Sequence, residues 1–311
     1  MLSLYNFTMI TRYTHKNLTW VDLESPTQNE VRDIMAEFAI NPLAADELLT
    51  PTLKPKVDVY PNFIYMILHF PVSKHTHTDE QNQEVDFMVG KDFLITTRYD
   101  TVDPIHKFSK VFEVNSILDK SDMGTHAGYL LFYMMKKLYK AIGHELEYME
   151  NALDDIEEQI FNDQEREMVI EISKVTRELL NFKQALAAHK DVLASFDAAG
   201  KQFFGDAFAY HLRTIIGEYY RVESELKFHA ETATELRETN NSLLSTKQNE
   251  VMKVLTIMAF VAFPLTLIAS IFGMNSTLPI VGQENDFLVI LGIMVLTALL
   301  FFGYFKYKKW L

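Results

Sequence analysis

The run VLTIMAFVAFPLTLIASIF, residues 254–272, decides the architecture of this 311-residue chain. It holds 19 residues without a charge, and a second uncharged run of 19, FLVILGIMVLTALLFFGYF, follows at 287–305. At 1.5 Å per residue each run spans about 28 Å as a helix, which matches the ~30 Å hydrocarbon core of a bilayer. A single run of this kind is compatible with a buried core helix. Two in tandem predict a C-terminal transmembrane hairpin in a lipid bilayer.

Lysines at the ends of the two runs predict how the hairpin is oriented. Four of them flank the apolar runs: Lys253, Lys306, Lys308 and Lys309. The connection between the runs has neither Lys nor Arg, and it carries Glu284 and Asp286. Because positive residues stay on the cytoplasmic side, we expect a multi-pass protein of the cell inner membrane with both termini in the cytoplasm. The N-terminus lacks the basic start and continuous apolar stretch of a signal peptide.

Composition excludes several classes of function. The chain has no cysteine, so disulfides, thiolate zinc sites, iron–sulfur clusters and cysteine nucleophiles are ruled out. Leaving out the four Lys and two acids that follow residue 250, residues 1–250 carry 40 acids and 25 Lys plus Arg, a balance of −15. The electrostatic field of this negative charge repels nucleic acid and concentrates cations. With no Gly-Lys-Ser/Thr phosphate loop and no dinucleotide glycine pattern, we expect no organic cofactor and no enzyme.

The chain before the hairpin divides into an α/β part and a helical part. Residues 1–120 predict a cytoplasmic α/β domain with a mixed sheet, whose strands are expected at 2–7, 19–23, 57–60, 63–70, 84–90 and 93–98. A helix is expected over Thr27–Ala39, opened by Ser25-Pro26 as a capping residue and a helix-starting proline.

Long helices fill the remainder. Residues 121–205 predict an antiparallel helical hairpin, whose second helix repeats apolar residues every three or four positions over 165–197, with His189 filling one missing step. A third helix starts near Asp206 and enters the membrane. The expected segments are a stalk at 206–250, a pore-lining span at 251–273, an extracytoplasmic loop at 274–286, a second span at 287–305 and a basic cytoplasmic end at 306–311.

A third helix from Asp206 to Phe272 would be about 100 Å long at 1.5 Å per residue. The other two long helices can cover only part of its apolar side, so self-association is expected. Two spans per chain are also too few to enclose a water-filled path. If the protein conducts an ion, it is therefore a homo-oligomer.

Small and polar residues follow one line along the first span. We call this line the polar stripe; it consists of Asn249, Met252, Thr256, Ala259, Phe263, Thr266 and Ser270. Its members recur at steps of three or four, so they share a helix face suited to lining a pore. Tight helix packing through small residues is an equally good explanation. Met252 and Phe263 are bulky enough to form apolar constrictions, and Pro264 is expected to bend the span.

Directly after the polar stripe come Gly273, Met274 and Asn275. Glycine allows the chain to turn at a helix end, and a ring of asparagine carboxamide oxygens suits a hydrated Mg²⁺, which sheds its water reluctantly.

At this point the sequence resembles a family, the CorA-type magnesium and cobalt transport proteins. The resemblance rests on Asn249–Thr256, Phe263–Thr266, Gly273-Met274-Asn275 and the basic end at 306–311, with weaker landmarks over most of the chain. It implies a funnel-shaped homopentamer whose long third helix lines the pore, with Gly273, Met274 and Asn275 as the selectivity filter. It also implies membrane-potential-driven uptake of Mg²⁺, with Co²⁺ and Ni²⁺ as further ions, gated by intracellular Mg²⁺.

The same resemblance implies an intracellular regulatory metal site between subunits. Asp46 and Glu47 match an acidic pair after a Pro-Leu element, in reversed order, and Asp206 matches an aspartate near the start of the long helix. Where the family often has a further acid, this chain has Ala209. The alternative is that these are solvated surface acids.

The loop after the filter departs from the family, because it lacks the usual aromatic residue and Met-Pro-Glu element. Glu284 and Asp286 are then expected to attract cations in their place. Two other functions stay open: a zinc transporter of the same architecture, although zinc-moving relatives vary the residue at Met274, and a non-conducting membrane-anchored coiled-coil scaffold.

Overall fold

The computed structural model describes residues 10–52, 54–71, 83–99, 102, 104–110, 124–274, 286–308 and 310. The chain forms two compact units. The first contains Met1–Asp163 and Glu167–Leu236, and the second contains Gln164–Arg166 and Arg237–Leu311.

A six-stranded mixed sheet organises the first unit. Its strands are β1 (Ile10–His15), β2 (Leu18–Glu24), β3 (Lys56–Val59), β4 (Phe63–Phe70), β5 (Gln83–Gly90) and β6 (Phe93–Arg98). They lie in the order β1-β2-β6-β5-β4-β3, and the β2–β6 pair is parallel while the other pairs are antiparallel. The predicted α/β class with a mixed sheet is therefore confirmed. β1 was not predicted, and the strand expected at 2–7 lies outside the described residues.

Two short helices cover one face of this sheet. They are α1 (Gln28–Phe38) and α2 (Pro42–Glu47), and their apolar side chains share a core with residues from β2, β4, β5 and β6. The start of α1 corrects the prediction, because Thr27 is the N-cap and forms a capping box with Glu30. Ser25 instead lies in the left-handed region, with φ 47°, and its hydroxyl donates to the Tyr99 carbonyl.

Helices from the second half of the unit pack on the sheet as well. Residues 104–110 are helical (α3), followed by α4 (Ala127–Phe161), α5 (Glu165–Leu186) and α6 (His189–Phe204). α4 packs on β5 and β6, and α6 packs on β3 and β4. The sheet is thus covered on both faces, which explains why β4 and β5 are buried along almost their whole length.

The continuous helix expected over 165–197 is wrong, because a turn at Ala187 and Ala188 separates α5 from α6. The first residue after the turn, His189, is fully buried and accepts or donates a hydrogen bond at both ring nitrogens. The ring bonds to Tyr139 of α4 and to the backbone of His69 in β4, and α6 begins at this residue instead of continuing α5.

The last helices are the ones that the apolar runs predict. A short 3-10 turn, Asp206–Phe208, leads into α7 (Ala209–Phe272), and α8 (Asp286–Tyr307) follows. α7 has 64 residues, and Pro264 lies inside it without ending it. Gly205, with φ 90°, ends α6 and allows the chain to turn into α7.

Candidate functional site

Within the described residues, α7 and α8 are the two helices long and apolar enough to cross a membrane. Almost none of the residues in their apolar stretches is buried inside the chain. A core helix of a soluble protein would be covered by its neighbours, whereas these helices present large side chains outward, including Phe260, Leu267, Leu296 and Leu300. Apolar surface of this extent needs lipid or a partner to cover it.

One face of α7 packs on α8. Ile257 and Phe305 are buried, and the rings of Phe260 and Phe305 have their centroids 6.4 Å apart. Most of the buried or partly buried positions of α7 after residue 252 recur along the same line: 253, 257, 261, 264, 265, 268 and 272. The two helices contact each other at Phe260 and Phe305, and we call the line of partly buried positions on this side of α7 the seam with α8.

The polar stripe lies on a different side of α7. At 3.6 residues per turn its mean direction is about 150° away from that of the seam with α8. Asn249, Met252, Thr266 and Ser270 are exposed, and Phe263 is 73% exposed. The other two members, Thr256 and Ala259, are partly buried. The helix hairpin thus leaves most of this face of α7 available for contact with water, lipid or another copy of the chain.

Hydroxyl groups in the polar stripe have their protons engaged along the helix. Thr256 Oγ1 donates to the Met252 carbonyl at 2.7 Å, and Thr266 Oγ1 donates to the Ala262 carbonyl at 2.9 Å. Each oxygen then keeps its lone pairs as acceptors. An acceptor surface suits the water shell of a cation, because hydration waters direct their hydrogens outward.

Gly273 closes the helix through close backbone contact. Its N–H donates to the Ala269 carbonyl at 2.9 Å, and a Cβ built on Gly273 would lie 2.9 Å from that same oxygen. A side chain at this position would therefore displace backbone. Met274 follows in a tighter turn and is 62% exposed. The predicted filter residue Asn275 lies outside the described residues, as does Glu284, and Asp286 is described only as the first residue of α8.

The predicted regulatory acids lie on two elements of the first unit. Asp46 is exposed near the end of α2, and its neighbour Glu47 is half-buried. Lys56 Nζ lies 2.7 Å from Glu47 Oε2 and 2.6 Å from Asp58 Oδ2. Burial by itself would lower the pKa of Lys56, but hydrogen bonds to these two carboxylates outweigh it and hold the pKa above its usual value. Glu47 thus already has a cationic partner within its own chain.

Asp206 is the exposed first residue of the turn before α7. The next element is anchored by Phe208, which is fully buried and stacks on His211 with ring centroids 5.6 Å apart. His126 meets Phe208 edge-on at 5.0 Å, and burial followed by the nearby His211 lowers the His126 pKa. Among the described residues, no group of three or more His, Asp or Glu side chains is arranged to hold a metal ion.

β5 carries a pair of buried acids that was not predicted from the sequence. Glu84 and Asp86 are 6% and 1% exposed, and Tyr65 Oη donates to Asp86 Oδ2 at 3.1 Å. Burial, and then the charge of Glu84, raises the pKa of Asp86 well above its ordinary range. Glu84 Oε2 accepts from the Thr52 N–H at 2.6 Å. Acids at alternate positions of an otherwise apolar strand were the available signal, but a strand with one wet face gives the same pattern.

Comparison with known proteins identifies relatives over nearly the whole chain. The family model described as CorA-like Mg²⁺ transporter protein matches residues 15–308. The cobalt/magnesium transport protein CorA of Thermotoga maritima is 26% identical over 299 residues, which cover 94% of this chain and 83% of that protein.

Solved structures give the same fold. The complete structure of the CorA magnesium transporter from Methanocaldococcus jannaschii superposes with a TM-score of 0.82 at 19% identity, covering 96% of this chain and 93% of that one. The cytoplasmic domain of ZntB from Vibrio parahaemolyticus superposes with a TM-score of 0.62 at 13% identity, covering 78% of this chain and 96% of that one. At these identities the likeness shows the fold.

Proposed function

The chain belongs to the family of CorA-like Mg²⁺ transporter proteins, and on this premise we propose that it is a channel for divalent cations that takes up Mg²⁺. Co²⁺ and Ni²⁺ are further ions that we expect to pass. The observation that carries the proposal is the polar stripe, which faces away from α8 and ends at Gly273 and Met274. The members of this family are transporters and not enzymes, in agreement with the expectation from the sequence.

The channel requires several copies of the chain. α7 and α8 alone do not surround a path, because two helices leave most of any central space open to lipid. Copies arranged in a ring, with each polar stripe turned inward and each α8 outward, would line one path. We propose a homopentamer, the assembly that the family resemblance implies.

Ion selection is proposed at the outer end of α7. Gly273 and Met274 come directly after Phe272, the last residue of α7, and Asn275 follows them. A ring of Asn275 carboxamides would accept hydrogen bonds from the waters of a hydrated Mg²⁺, and Glu284 and Asp286 would raise the cation concentration beside it. Below the ring, Phe263 and Met252 would narrow the path as apolar constrictions.

The driving force is proposed to be the membrane potential, worth about 4.6 kcal/mol per 100 mV for a doubly charged ion. This requires the Gly273 end of α7 to lie on the outer side of the inner membrane and both chain termini to lie in the cytoplasm. The four lysines that flank the spans support that orientation.

Gating by intracellular Mg²⁺ is proposed at Asp46, Glu47 and Asp206, with ligands from neighbouring copies. Asp46 and Asp206 are exposed, as a site between copies requires, and Glu47 would have to exchange Lys56 for the metal. Replacing the three acids by Asn, Gln and Asn should raise the internal Mg²⁺ concentration that half-inhibits the flux at least fivefold. Unchanged inhibition would remove these residues from the site.

The filter is tested by Mg²⁺ uptake into liposomes that contain the purified protein. Asn275→Ala should abolish uptake while the oligomer, measured by size exclusion with light scattering, stays intact. The matched control is Asn151→Ala, because Asn151 lies exposed on α4, and it should leave uptake unchanged. Uptake by Asn275→Ala equal to that of the wild type would refute the filter assignment.

A zinc transporter of the same architecture is the alternative that the sequence leaves open. Competition among Mg²⁺, Co²⁺, Ni²⁺ and Zn²⁺ in one flux assay separates the two. We expect Co²⁺ and Ni²⁺ to compete with Mg²⁺ and Zn²⁺ to be transported poorly. The absence of any flux would favour the scaffold instead.

A further inference from the structure

A buried carboxylate lies beside the part of α7 that approaches the membrane. Glu165 is the first residue of α5 and is 4% exposed, although it carries a charge. Together with Gln164 and Arg166 it belongs to the same compact unit as residues 237–311, while the next residues of α5 belong to the other unit. The start of α5 thus belongs to the unit that also contains residues 237–272 of α7 and all of α8.

Two side chains of α7 hold Glu165. Lys247 Nζ lies 2.7 Å from Glu165 Oε1 and donates to Oε2 at 2.8 Å. Asn240 Nδ2 donates to the backbone carbonyl of Glu165 at 2.9 Å, and Asn240 is 1% exposed. Asn240 and Lys247 are seven residues apart, so they share one face of α7 two turns apart. We call Glu165, Asn240 and Lys247 the Glu165 clamp.

The position of the clamp relates it to the polar stripe. Lys247 precedes Asn249, the first member of the stripe, by two residues. At 3.6 residues per turn the clamp contacts a side of α7 about 140° from the mean direction of the stripe. The clamp therefore contacts α7 immediately before the proposed pore-lining segment and leaves the pore-lining face of that segment uncovered.

The two charges of the clamp differ in their surroundings. The side chain of Glu165 is 5% exposed, whereas that of Lys247 is 43% exposed. If Lys247 separates from Glu165, its ammonium group is hydrated again. The Glu165 carboxylate is then left buried without its ion-pair partner, which costs free energy. Separation is therefore resisted, and the start of α5 and this turn of α7 should move together.

We propose that the Glu165 clamp is a coupling element, through which displacement of the α4–α5 turn is passed to the pore helix. Its effect on ion flow rests on the function proposed above, in which internal Mg²⁺ inhibits the flux. A broken clamp uncouples the pore helix from this displacement. Inhibition by internal Mg²⁺ then weakens while the filter, which lies at the other end of the span, keeps its selectivity.

The first test uses Lys247→Met in the full-length protein, reconstituted in liposomes. The internal Mg²⁺ concentration that half-inhibits uptake should rise at least fivefold, with the ratio of Mg²⁺ to Co²⁺ uptake unchanged. Lys227→Met is the matched control, because Lys227 forms an exposed pair with Glu231 at 3.8 Å, and it should behave as the wild type. The double variant Glu165→Lys with Lys247→Glu should restore inhibition to within twofold.

The second test needs no ion flux. Hydrogen exchange of the amides of residues 237–247 should be at least tenfold faster in Lys247→Met than in the wild type, and close to wild type in the charge-swapped double variant. Unchanged exchange overturns the clamp itself. Faster exchange with unchanged inhibition overturns its coupling role. If the wild type shows uptake without any inhibition by internal Mg²⁺, the proposed gating fails, and exchange alone decides whether the clamp holds the helix.

Discussion

Acidification should destabilise the first unit through His189. The ring is fully buried, with Nδ1 2.8 Å from Tyr139 Oη and Nε2 2.7 Å from the His69 carbonyl. Since the carbonyl can only accept, Nε2 carries the hydrogen and Nδ1 accepts from the tyrosine. Burial lowers the pKa of His189 to about 4, against the opposing effect of the hydrogen bond to the His69 carbonyl. The neutral ring is therefore the form that the fold accommodates.

The sign and size of the effect follow from the two pKa values. Between pH 6.5 and pH 4 the unfolded chain binds a proton at His189 that the folded chain does not, so stability falls as the pH falls. With pKa values of about 6.5 unfolded and 4 folded, the loss is about 2 kcal/mol at pH 5 and about 3 kcal/mol below pH 4. For a unit of this size, 2 kcal/mol corresponds to about 4–8 °C in Tm.

The assay compares wild type with His189→Gln by thermal unfolding in detergent, followed by circular dichroism. Glutamine keeps a donor and an acceptor but does not titrate, so the variant lacks this contribution. The wild type should be the more stable protein at pH 8, and its advantage in Tm should shrink by about 4–8 °C at pH 5. The pKa of His69 is raised by its hydrogen bond to Glu84. Because His69 is present in both proteins, its contribution to the pH dependence cancels in the comparison.

His144→Gln is the matched control, because that ring lies on the exposed surface of α4. It should follow the wild-type curve from pH 8 to pH 5. A difference in Tm between wild type and His189→Gln that stays constant over this range would refute the reasoning, since it would show that His189 does not change its proton binding on folding.

Three further variants test other parts of the molecule. Asp86→Asn removes a buried acid whose pKa is raised by burial and by Glu84, so the stability of the variant relative to wild type should rise from pH 5 to pH 8; a stability difference that stays constant over this range would contradict this. Gly273→Ala forces a Cβ against a backbone oxygen and should lower Mg²⁺ uptake at least tenfold. Gly292→Ala, in open space on α8, is its control and should leave uptake unchanged. Equal uptake by the two variants would show that the close backbone contact at Gly273 does not matter for uptake. Phe263→Ala removes a bulky member of the polar stripe and should raise uptake severalfold; unchanged uptake would exclude Phe263 as a constriction.

Regular patterns of apolar residues predicted most of the fold. The strands expected at 63–70 and 93–98 have those bounds in the structure, and both uncharged runs lie within helices. These segments are decided by local composition, because an all-apolar run has few alternatives. The site residues of the filter and of the regulatory acids stay predictions.

The features that sequence reasoning missed depend on contacts between distant residues. Glu84 and Asp86 alternate with apolar residues on β5, so their burial could be seen only once helices covered that face of the sheet. His189 occupies a position of the apolar repeat over 165–197, but its hydrogen-bond partners come from α4 and β4, 50 and 120 residues away. The clamp at Glu165 joins residues 82 apart for the same reason.

The central claim, that copies of this chain conduct Mg²⁺ across a membrane, is tested most directly by uptake into liposomes containing only the purified wild-type protein. Mg²⁺ entry is followed with an enclosed fluorescent indicator, at zero potential and with the interior made 100 mV negative. We expect entry in both conditions, at least severalfold faster with the negative interior, because the potential adds about 4.6 kcal/mol to the driving force for a divalent ion. Entry no faster than into protein-free liposomes would contradict the account.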